Sequence, residues 1–211
     1  TNQADVNLHI KIGGVEALND INSCIELGVD GIIAPMVETK FGVQKFIQSI
    51  KKFDLKEKPF LSINIETKDG VENHKEIIGN SKNFINNVTI GRSDLSASYF
   101  DKKITPDSKK ILENILQVSK FAKKNSITTT VGGSLNSNTI KYYSKIKNLS
   151  SFIKKMETRK VIFNTKVFLN KKDSLKEALH FEERYIIYKK EINDFRLRSD
   201  LSRLTALKTR L

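Results

Sequence analysis

The sequence contains one cysteine and no tryptophan among its 211 residues. The single cysteine, Cys24, excludes an internal disulfide and suits a reducing compartment, so we expect a cytoplasmic protein. Cys24 lies in a segment of helical periodicity with no histidine placed beside it, so we expect it to pack in the core. No apolar run approaches the roughly 20 residues of a membrane span, and nothing resembles a signal peptide. We therefore expect no membrane partner.

The chain is strongly basic, with a formal net charge of +13. Basic chains often bind nucleic acid or anionic surfaces. Here the lysines are scattered and fall mostly on what should be outward helix faces, not in one block, with pairs at Lys51-Lys52, Lys102-Lys103, Lys109-Lys110, Lys123-Lys124, Lys154-Lys155, Lys171-Lys172 and Lys189-Lys190. We therefore expect a solvated basic surface, no nucleic-acid partner, and a positive field that favours small anionic substrates.

Segments with the periodicity of strands and helices alternate along the chain. The pattern predicts strands at residues 8–12, 31–37, 60–65, 88–90 and 127–131 and within 152–163, with a possible seventh at 161–168. It predicts helices at residues 15–27, 41–53, 71–80, 106–124 and 137–147. This alternation indicates an α/β fold with a parallel sheet and right-handed crossovers, either a barrel or a doubly wound sheet. A closed TIM barrel needs eight strands.

Two carboxylates follow neighbouring predicted strands at the point where each strand ends. Glu66 follows the strand at 60–65, and Asp94 follows the strand at 88–90. The carboxyl ends of parallel strands meet at one edge of a barrel, where such enzymes place their chemistry. Two carboxylates there can share one hard divalent cation through oxygen ligands. The alternative is that each one only caps the helix that follows.

Six short motifs occur in order, at residues 11–14 (KIGG), 27–39 (LGVDGIIAPMVET), 64–67 (NIET), 91–96 (GRSDLS), 131–133 (VGG) and 157–160 (ETRK). They resemble the motifs of the HpcH/HpaI aldolase and citrate lyase β-subunit family, over about three quarters of the chain. The resemblance implies a TIM-like barrel that makes or breaks carbon–carbon bonds next to a 2-oxo acid or acyl thioester. It also implies Glu66 and Asp94 as the ligands of Mg²⁺ or Mn²⁺.

The family has a strand and a helix ahead of the segment that corresponds to residues 8–14. We therefore expect a TIM-like (β/α) barrel that lacks its first β/α unit in this chain. This partial catalytic barrel is assigned to residues 1–170, and C-terminal helices are assigned to residues 171–211.

Several residues near the predicted strand ends are candidates for substrate binding. Alternation along the strand at 60–65 places Asn64 on the face of Glu66, and a polar side chain there favours a functional role. Lys11 stands near an arginine position of the family's aldolases, and it would hold the developing enolate as the catalytic cation. Gly13 and Gly14 either approach a substrate anion at the next helix or only form a tight turn.

The loop at 91–94 resembles a family loop whose backbone N–H groups bind the substrate carboxylate, which implies Ser93 and Asp94 here. Arg92 either adds a further contact to the anion or points to solvent. Glu157 and Arg159 share a predicted strand face, so they could form an ion pair at the rim, and Arg159 is a further candidate for substrate binding.

The C-terminal segment has a different pattern. Ser174 and Glu177 have the spacing of a capping box at the start of a long helix. An apolar stripe follows at Leu175, Ala178, Leu179, Tyr185, Ile186 and Ile192, and a leucine series follows beyond Asp194 at Leu197, Leu201, Leu204, Leu207 and Leu211, with Arg196, Arg198, Arg203 and Arg210 beside it. We interpret these helices as an arm for homo-oligomerisation, and the alternative is a helix folded back on its own barrel.

Together these features indicate a metal-dependent carbon–carbon lyase of the aldolase type, acting on a small 2-oxo acid through a metal-stabilised enolate. One alternative is a citrate- or malyl-type acyl-thioester lyase. The other is a catalytically inactive barrel used as a binding or assembly module. The sequence identifies no general base, because His9 is expected to lie too deep and His74 and His180 are expected on helix surfaces.

Overall fold

The computed structural model of the chain describes residues 5–55, 57–171 and 173–208. Short strands and helices alternate over most of its length, as the sequence pattern predicts. The elements in order are β1 His9–Lys11, α1 Leu18–Glu26, β2 Gly31–Ala34, α2 Lys40–Lys51, β3 Phe60–Ile65, α3 Lys68–Glu72, α4 His74–Ser81, β4 Asn87–Gly91, α5 Arg92–Ala97, α6 Lys109–Lys124, β5 Thr128–Gly132, α7 Ser137–Tyr143, α8 Leu149–Phe152, β6 Lys155–Glu157, β7 Ile162–Asn164, α9 Thr165–Asn170 and α10 Ser174–Lys208.

The strands form one curled sheet in the order β1-β2-β3-β4-β5-β6-β7. Strands β1 to β6 are parallel, with Ile65 opposite Ile90 and Gly91 opposite Gly132. The sheet therefore resembles part of a barrel wall, and β1 and β7 are its edges within the part of the chain that is described. Strand β7 differs from the expectation of another β/α unit. It runs antiparallel to β6, because the short turn after Glu157 reverses the chain without a crossover helix.

The two faces of the sheet differ in chemistry. On the face toward the helices, Ile32, Ile63, Ile90 and Val131 are completely buried in the core. The opposite, concave face carries polar side chains, and the amide of Asn87 joins them: its Nδ2 donates to Ser62 and Thr89, and its Oδ1 accepts from Thr128 and Thr130. A closed barrel normally fills this space with branched apolar side chains. Here the interior is a hydrogen-bonded polar layer that leads up to the strand ends.

His74 corrects one expectation from the sequence. It was expected on a helix surface, but it is buried, with 1% of its surface exposed. Its Nδ1 lies 2.6 Å from the carbonyl oxygen of Val71, and its ring meets the ring of Phe121 edge-on. Burial lowers the pKa of His74, so the neutral ring is favoured in the fold. His74 therefore has a packing role.

The C-terminal segment forms one helix, α10, with no break near Asp194 where the sequence suggested two helices. Its 35 residues correspond to a length of about 52 Å. Ser174 and Ala178 are buried, whereas Leu197, Leu201 and Leu204 are exposed, so the leucine series does not fold back on the chain's own sheet. Arg210 and Leu211 lie outside the described residues. Across those that are described, no helix is both long and apolar enough to pass through a bilayer.

Candidate active site

Glu66 lies directly after β3 and is almost completely buried, with 4% of its surface exposed. Its Oε1 accepts a hydrogen bond from the backbone N–H of Met36 at 3.1 Å, and its Oε2 accepts one from Asn64 Nδ2 at 3.2 Å. The next residue, Thr67, caps helix α3 by accepting from Gly70 N. The alternative interpretation, in which Glu66 only caps the following helix, is therefore wrong.

The loop after β2 holds one of these donors in an unusual conformation. Met36 has a φ of 52°, in the left-handed region that non-glycine residues seldom occupy. The neighbouring Val37 N–H donates to Asn64 O at 2.9 Å, which ties the loop across the end of β3. The loop backbone is thereby directed at the Glu66 carboxylate, a contact that the sequence did not reveal.

The charges around Glu66 show which side chains face it. Burial raises the pKa of Glu66, and the Met36 hydrogen bond and the positive charge of Lys11 oppose that rise. The negative charge of Asp94 raises the pKa further. Asp94 is exposed in the first turn of α5, and Lys11 is exposed at the end of β1. The charges of Lys11 and Asp94 therefore both act on Glu66 at the carboxyl ends of the strands.

Two glycines make room for two carboxylates. A Cβ at Gly91 would lie 2.5 Å from Oε2 of Glu66, and a Cβ at Gly132 would lie 2.5 Å from Cγ of Glu157. Gly91 and Gly132 are direct partners on β4 and β5. The side chains of Glu66 and Glu157 therefore lie over neighbouring strand ends, and they approach the same place from opposite sides.

Glu157 is the residue of this site that the sequence reasoning missed. Burial raises its pKa to about 7, with the charge of Lys11 lowering it and the charge of Glu66 raising it. The carboxyl group is therefore divided between its neutral and ionised forms near neutral pH. One signal in the sequence is the glycine that faces it: Gly132, within the motif at 131–133, leaves the space that the Glu157 side chain occupies.

The expected ion pair between Glu157 and Arg159 is wrong. Strand β6 ends at Glu157, and Arg159 is exposed in the turn that leads to β7. This turn is closed by the hydrogen bond from Thr158 N to Val161 O at 2.9 Å. Among the described residues Arg159 forms no ion pair, and its charge is not among the causes of the raised pKa of Glu66 or of Glu157.

Arg92 also differs from its expected role. Its side chain is fully buried, and it forms an ion pair with Asp107 at 2.7 Å. Its Nη2 donates to Gly133 O at 2.6 Å, and its guanidinium also lies 3.5 Å from Thr139 Oγ1. These contacts join the start of α5 to the loops before α6 and α7. Arg92 therefore holds the loop in place and does not point to solvent, because its guanidinium is bound by Asp107 and by the carbonyl of Gly133.

Ser93 lies at the open edge of this loop. Its Oγ is 2.8 Å from Ser134 Oγ. Gly133 has a φ of 85°, and a Cβ there would lie 2.7 Å from Ser93 N and 2.8 Å from Arg92 N. Glycine is therefore needed both for the conformation of residue 133 and to leave these backbone N–H groups uncovered.

The Gly13-Gly14 segment has the simpler of its two expected roles. Gly13 N donates to Asp20 Oδ2 at 2.7 Å, and Gly14 O accepts from Ala17 N at 3.2 Å. The backbone N–H of Gly13 is thus already bound by the Asp20 carboxylate. The two glycines form the turn between β1 and α1.

The donors at the site suit a hard divalent cation. Glu66 and Asp94 offer carboxylate oxygens, and the buried Oδ1 of Asn64 has no hydrogen-bond partner among the described residues. No group of three histidine, cysteine, aspartate or glutamate side chains suited to a metal exists in the described ranges. Mg²⁺ commonly takes one or two carboxylates and completes its shell with water and substrate. The side chains present therefore fit such an ion.

A curled parallel sheet with carboxylates and a lysine at the carboxyl ends of its strands is the arrangement of barrel-type enzymes. The sequence model of the HpcH/HpaI aldolase/citrate lyase family matches residues 8–167, so the chain belongs to that family. Membership supports a lyase-type function on small acids. No curated protein sequence matches the chain.

Solved structures show the same fold at low sequence identity. RipC from Yersinia pestis is 16% identical, with 72% of this chain and 70% of that chain covered and a TM-score of 0.56. An HpcH/HpaI aldolase from Desulfitobacterium hafniense DCB-2 is 14% identical, with coverages of 74% and 67% and a TM-score of 0.57. A variant of the citrate synthase SbnG is 13% identical, with coverages of 90% and 74% and a TM-score of 0.54.

Proposed function

We propose that the protein is a divalent-metal-dependent carbon–carbon lyase of the aldolase type that acts on a small 2-oxo acid through its enolate. Glu66 and Asp94 would hold Mg²⁺ or Mn²⁺. The observation that carries this proposal is the buried Glu66 carboxylate, whose pKa responds to both Lys11 and Asp94. Family membership supports the reaction class.

When bound, the metal would polarise the substrate carbonyl. Lys11 places a positive charge beside the same carboxylates, where it would stabilise the negative charge that develops on the enolate oxygen. The backbone N–H groups of Ser93 and Asp94 are the proposed donors to the substrate carboxylate, and Gly133 leaves that of Ser93 uncovered. Asn64 holds the orientation of Glu66 through its 3.2 Å hydrogen bond.

Glu157 is the proposed acid–base group. A carboxyl with a pKa of about 7 can both accept and donate a proton at neutral pH, which is the property that proton transfer to or from an enolate requires. It lies over Gly132, in the same row of strand ends as Glu66. The sequence alone identified no general base, which favoured an inactive binding module. Glu157 as the proposed base removes that argument.

Titration calorimetry with Mn²⁺ and Mg²⁺ tests the metal site. We expect one site per chain, and we expect Glu66→Gln and Asp94→Asn each to abolish it. Glu113→Gln, which alters an exposed carboxylate on α6, is the matched control and should bind as the unaltered protein does. Binding that persists in both site variants would contradict the proposal.

The reaction class is tested by oxaloacetate decarboxylation and by hydrogen–deuterium exchange at the methyl group of pyruvate, with Mn²⁺ added. Both reactions need little beyond stabilisation of an enolate. Activity on a citrate- or malyl-type acyl thioester, without activity on either 2-oxo acid, would favour the thioester-lyase alternative. Inactivity on all three would favour a binding or assembly module.

We also propose that copies of the chain associate through α10 and that the protein works in the cytoplasm. The support for association is the exposed leucine series on α10, since such a stripe is unusual on a monomer. The support for the compartment is that Cys24 is buried and free. Light scattering of the full chain, compared with a chain truncated before Asp194, tests the association: the full chain should exceed the monomer mass.

A further inference from the structure

Helix α10 carries an apolar stripe that is distinct from its leucine series. Its members recur at alternating intervals of four and three residues, the heptad spacing of helices that pair, and they are Phe181, Tyr185, Tyr188, Ile192 and Phe195. At about 100° per residue they share one side of the helix, and Leu197, Leu201 and Leu204 lie on the opposite side. Most of the aromatic stripe is uncovered: the exposed fractions are 54% for Phe181, 63% for Tyr188 and 74% for Phe195, while Tyr185 is 44% exposed and has Lys160 Nζ 4.6 Å from the centre of its ring.

The charges beside this stripe have a definite order. Glu182 and Lys189 lie on one flank, and Arg184 and Glu191 lie on the other. Arg184, Lys189 and Glu191 are exposed and Glu182 is half-buried, and none of the four forms an ion pair within the described part of the chain. Flanking charges of this kind select the partner and the orientation of paired helices.

We infer that α10 pairs with α10 of a second copy in antiparallel orientation, with Tyr185 opposite Tyr188 of the partner subunit. In that register the stripes align, because Phe181 meets Ile192 of the partner subunit. The flanks also match: Arg184 faces Glu191 of the partner subunit, and Glu182 faces Lys189 of the partner subunit. Twofold symmetry repeats each contact, so four attractive pairs result. This contact is additional to the self-association proposed above, because it lies on the side of α10 opposite the leucine series.

In a parallel pair the charges on the two flanks match less well. A parallel heptad pair brings each residue of one flank against the residue five positions later on the other flank of the partner. Arg184 would then face Lys189 of the partner subunit, and Glu177 would face Glu182 of the partner subunit. Both contacts join like charges, and they outnumber the one attractive contact, Glu191 with Arg196 of the partner subunit, so the charge pattern favours the antiparallel pair.

The stripe is large enough for a specific contact. Its four aromatic side chains each offer on the order of 200 Å², of which about half or more is exposed. Pairing would therefore bury roughly 500 Å² on each copy, or about 1,000 Å² in all, near the lower limit for a specific interface. Ser174 and Ala178 anchor the start of the helix to the body of the chain, which leaves the remainder to reach a partner.

Cysteine cross-linking tests the register in the full chain. Phe181→Cys and Ile192→Cys are made separately, each with Cys24→Ala, and then mixed under mild oxidation. The antiparallel register brings these two positions together, so a mixed disulfide dimer is expected. Position 181 of one copy would then lie about 16 Å from position 181 of the other, which is too far for a disulfide. A disulfide dimer of Phe181→Cys alone would show parallel pairing and overturn the inference, as would monomeric mass for the full chain at tens of micromolar.

Charge reversal gives a second readout, by sedimentation at low salt. Arg184→Glu should raise the dissociation constant of the dimer at least about tenfold in the antiparallel pair, whereas it would tighten a parallel pair. The double variant Arg184→Glu with Glu191→Arg should restore the dissociation constant of the unaltered protein. Glu183→Lys, on the outer side of the helix, should leave that constant unchanged. Lack of rescue by the double variant would overturn the register. Since none of these residues lies at the proposed metal site, metal binding and lyase activity report separately on the proposed function.

Discussion

Replacing Glu157 with glutamine should stabilise the fold at alkaline pH and leave it unchanged at acidic pH. The carboxyl has an ordinary pKa of 4.5 and a folded-state pKa of about 7, mainly because burial disfavours its charge. The native state therefore binds the proton more tightly than the unfolded chain does. The contribution of this group is fully present below pH 4.5, is lost as pH rises toward 7, and is absent above 7.

The magnitude follows from the same two values. At about 1.36 kcal/mol per pH unit, the ionised Glu157 costs up to about 3.4 kcal/mol in the folded state. Glu157 is partly exposed and Lys11 lies near it, so the gain for Glu157→Gln at pH 8 should be about 1–3 kcal/mol. At pH 4 the neutral acid and the amide are similar in shape and charge, and the two proteins should unfold together.

Urea unfolding with a chelator present measures the difference in unfolding free energy between Glu157→Gln and the unaltered protein at pH 4 and at pH 8. Glu113→Gln, an exposed carboxylate on α6, is the control and should show no comparable dependence on pH. A gain of the same size at both pH values would show that Glu157 is not held in a raised-pKa state. A loss of stability at pH 8 would show that its ionised form is favoured, and either result would remove Glu157 as the proposed acid–base group.

Three further predictions concern neighbouring contacts. Arg92→Met should destabilise the fold by about 3–5 kcal/mol in thermal or urea unfolding, because it leaves Asp107 without its buried partner; a loss below about 1 kcal/mol would contradict the structural role. Gly91→Ala should abolish Mn²⁺ binding in calorimetry while the circular dichroism spectrum is retained, since the new Cβ displaces Glu66, whereas Gly14→Ala has open space and should bind normally. Lys11→Met should raise the pH at which Glu157 ionises, measured by the carboxyl resonance in NMR, because the lysine charge lowers that pKa; a fall would mean that Lys11 does not face the site.

The fold was largely predictable because its parallel strands are buried by helices. Runs such as residues 31–34 and 60–65 are apolar on the helix side and are followed by helical periodicity, so both the strands and the α/β class follow from the pattern. Strand β7 was not predictable in the same way. Its three residues give no periodicity, and its antiparallel direction depends on a turn at 158–161 that carries no glycine or proline.

The sequence predicted only those site residues whose location follows directly from their position along a strand. Glu66 and Asp94 follow from the ends of two strands, and the charge of Asp94 contributes to the raised pKa of Glu66. Arg92 could not be placed, because its burial depends on Asp107 and Gly133, which come together only in three dimensions. The raised pKa of Glu157 likewise depends on burial and on charges from distant strands.

The most direct test of the account is the binding of oxalate, a planar dianion that imitates the enolate of pyruvate. Calorimetry with and without Mn²⁺ would measure it in the unaltered protein, in Glu66→Gln and in Glu113→Gln. We predict oxalate binding that requires Mn²⁺, that is lost in Glu66→Gln, and that is retained in Glu113→Gln. Oxalate binding of equal strength without Mn²⁺, or undiminished in Glu66→Gln, would contradict a metal-held enolate at this site.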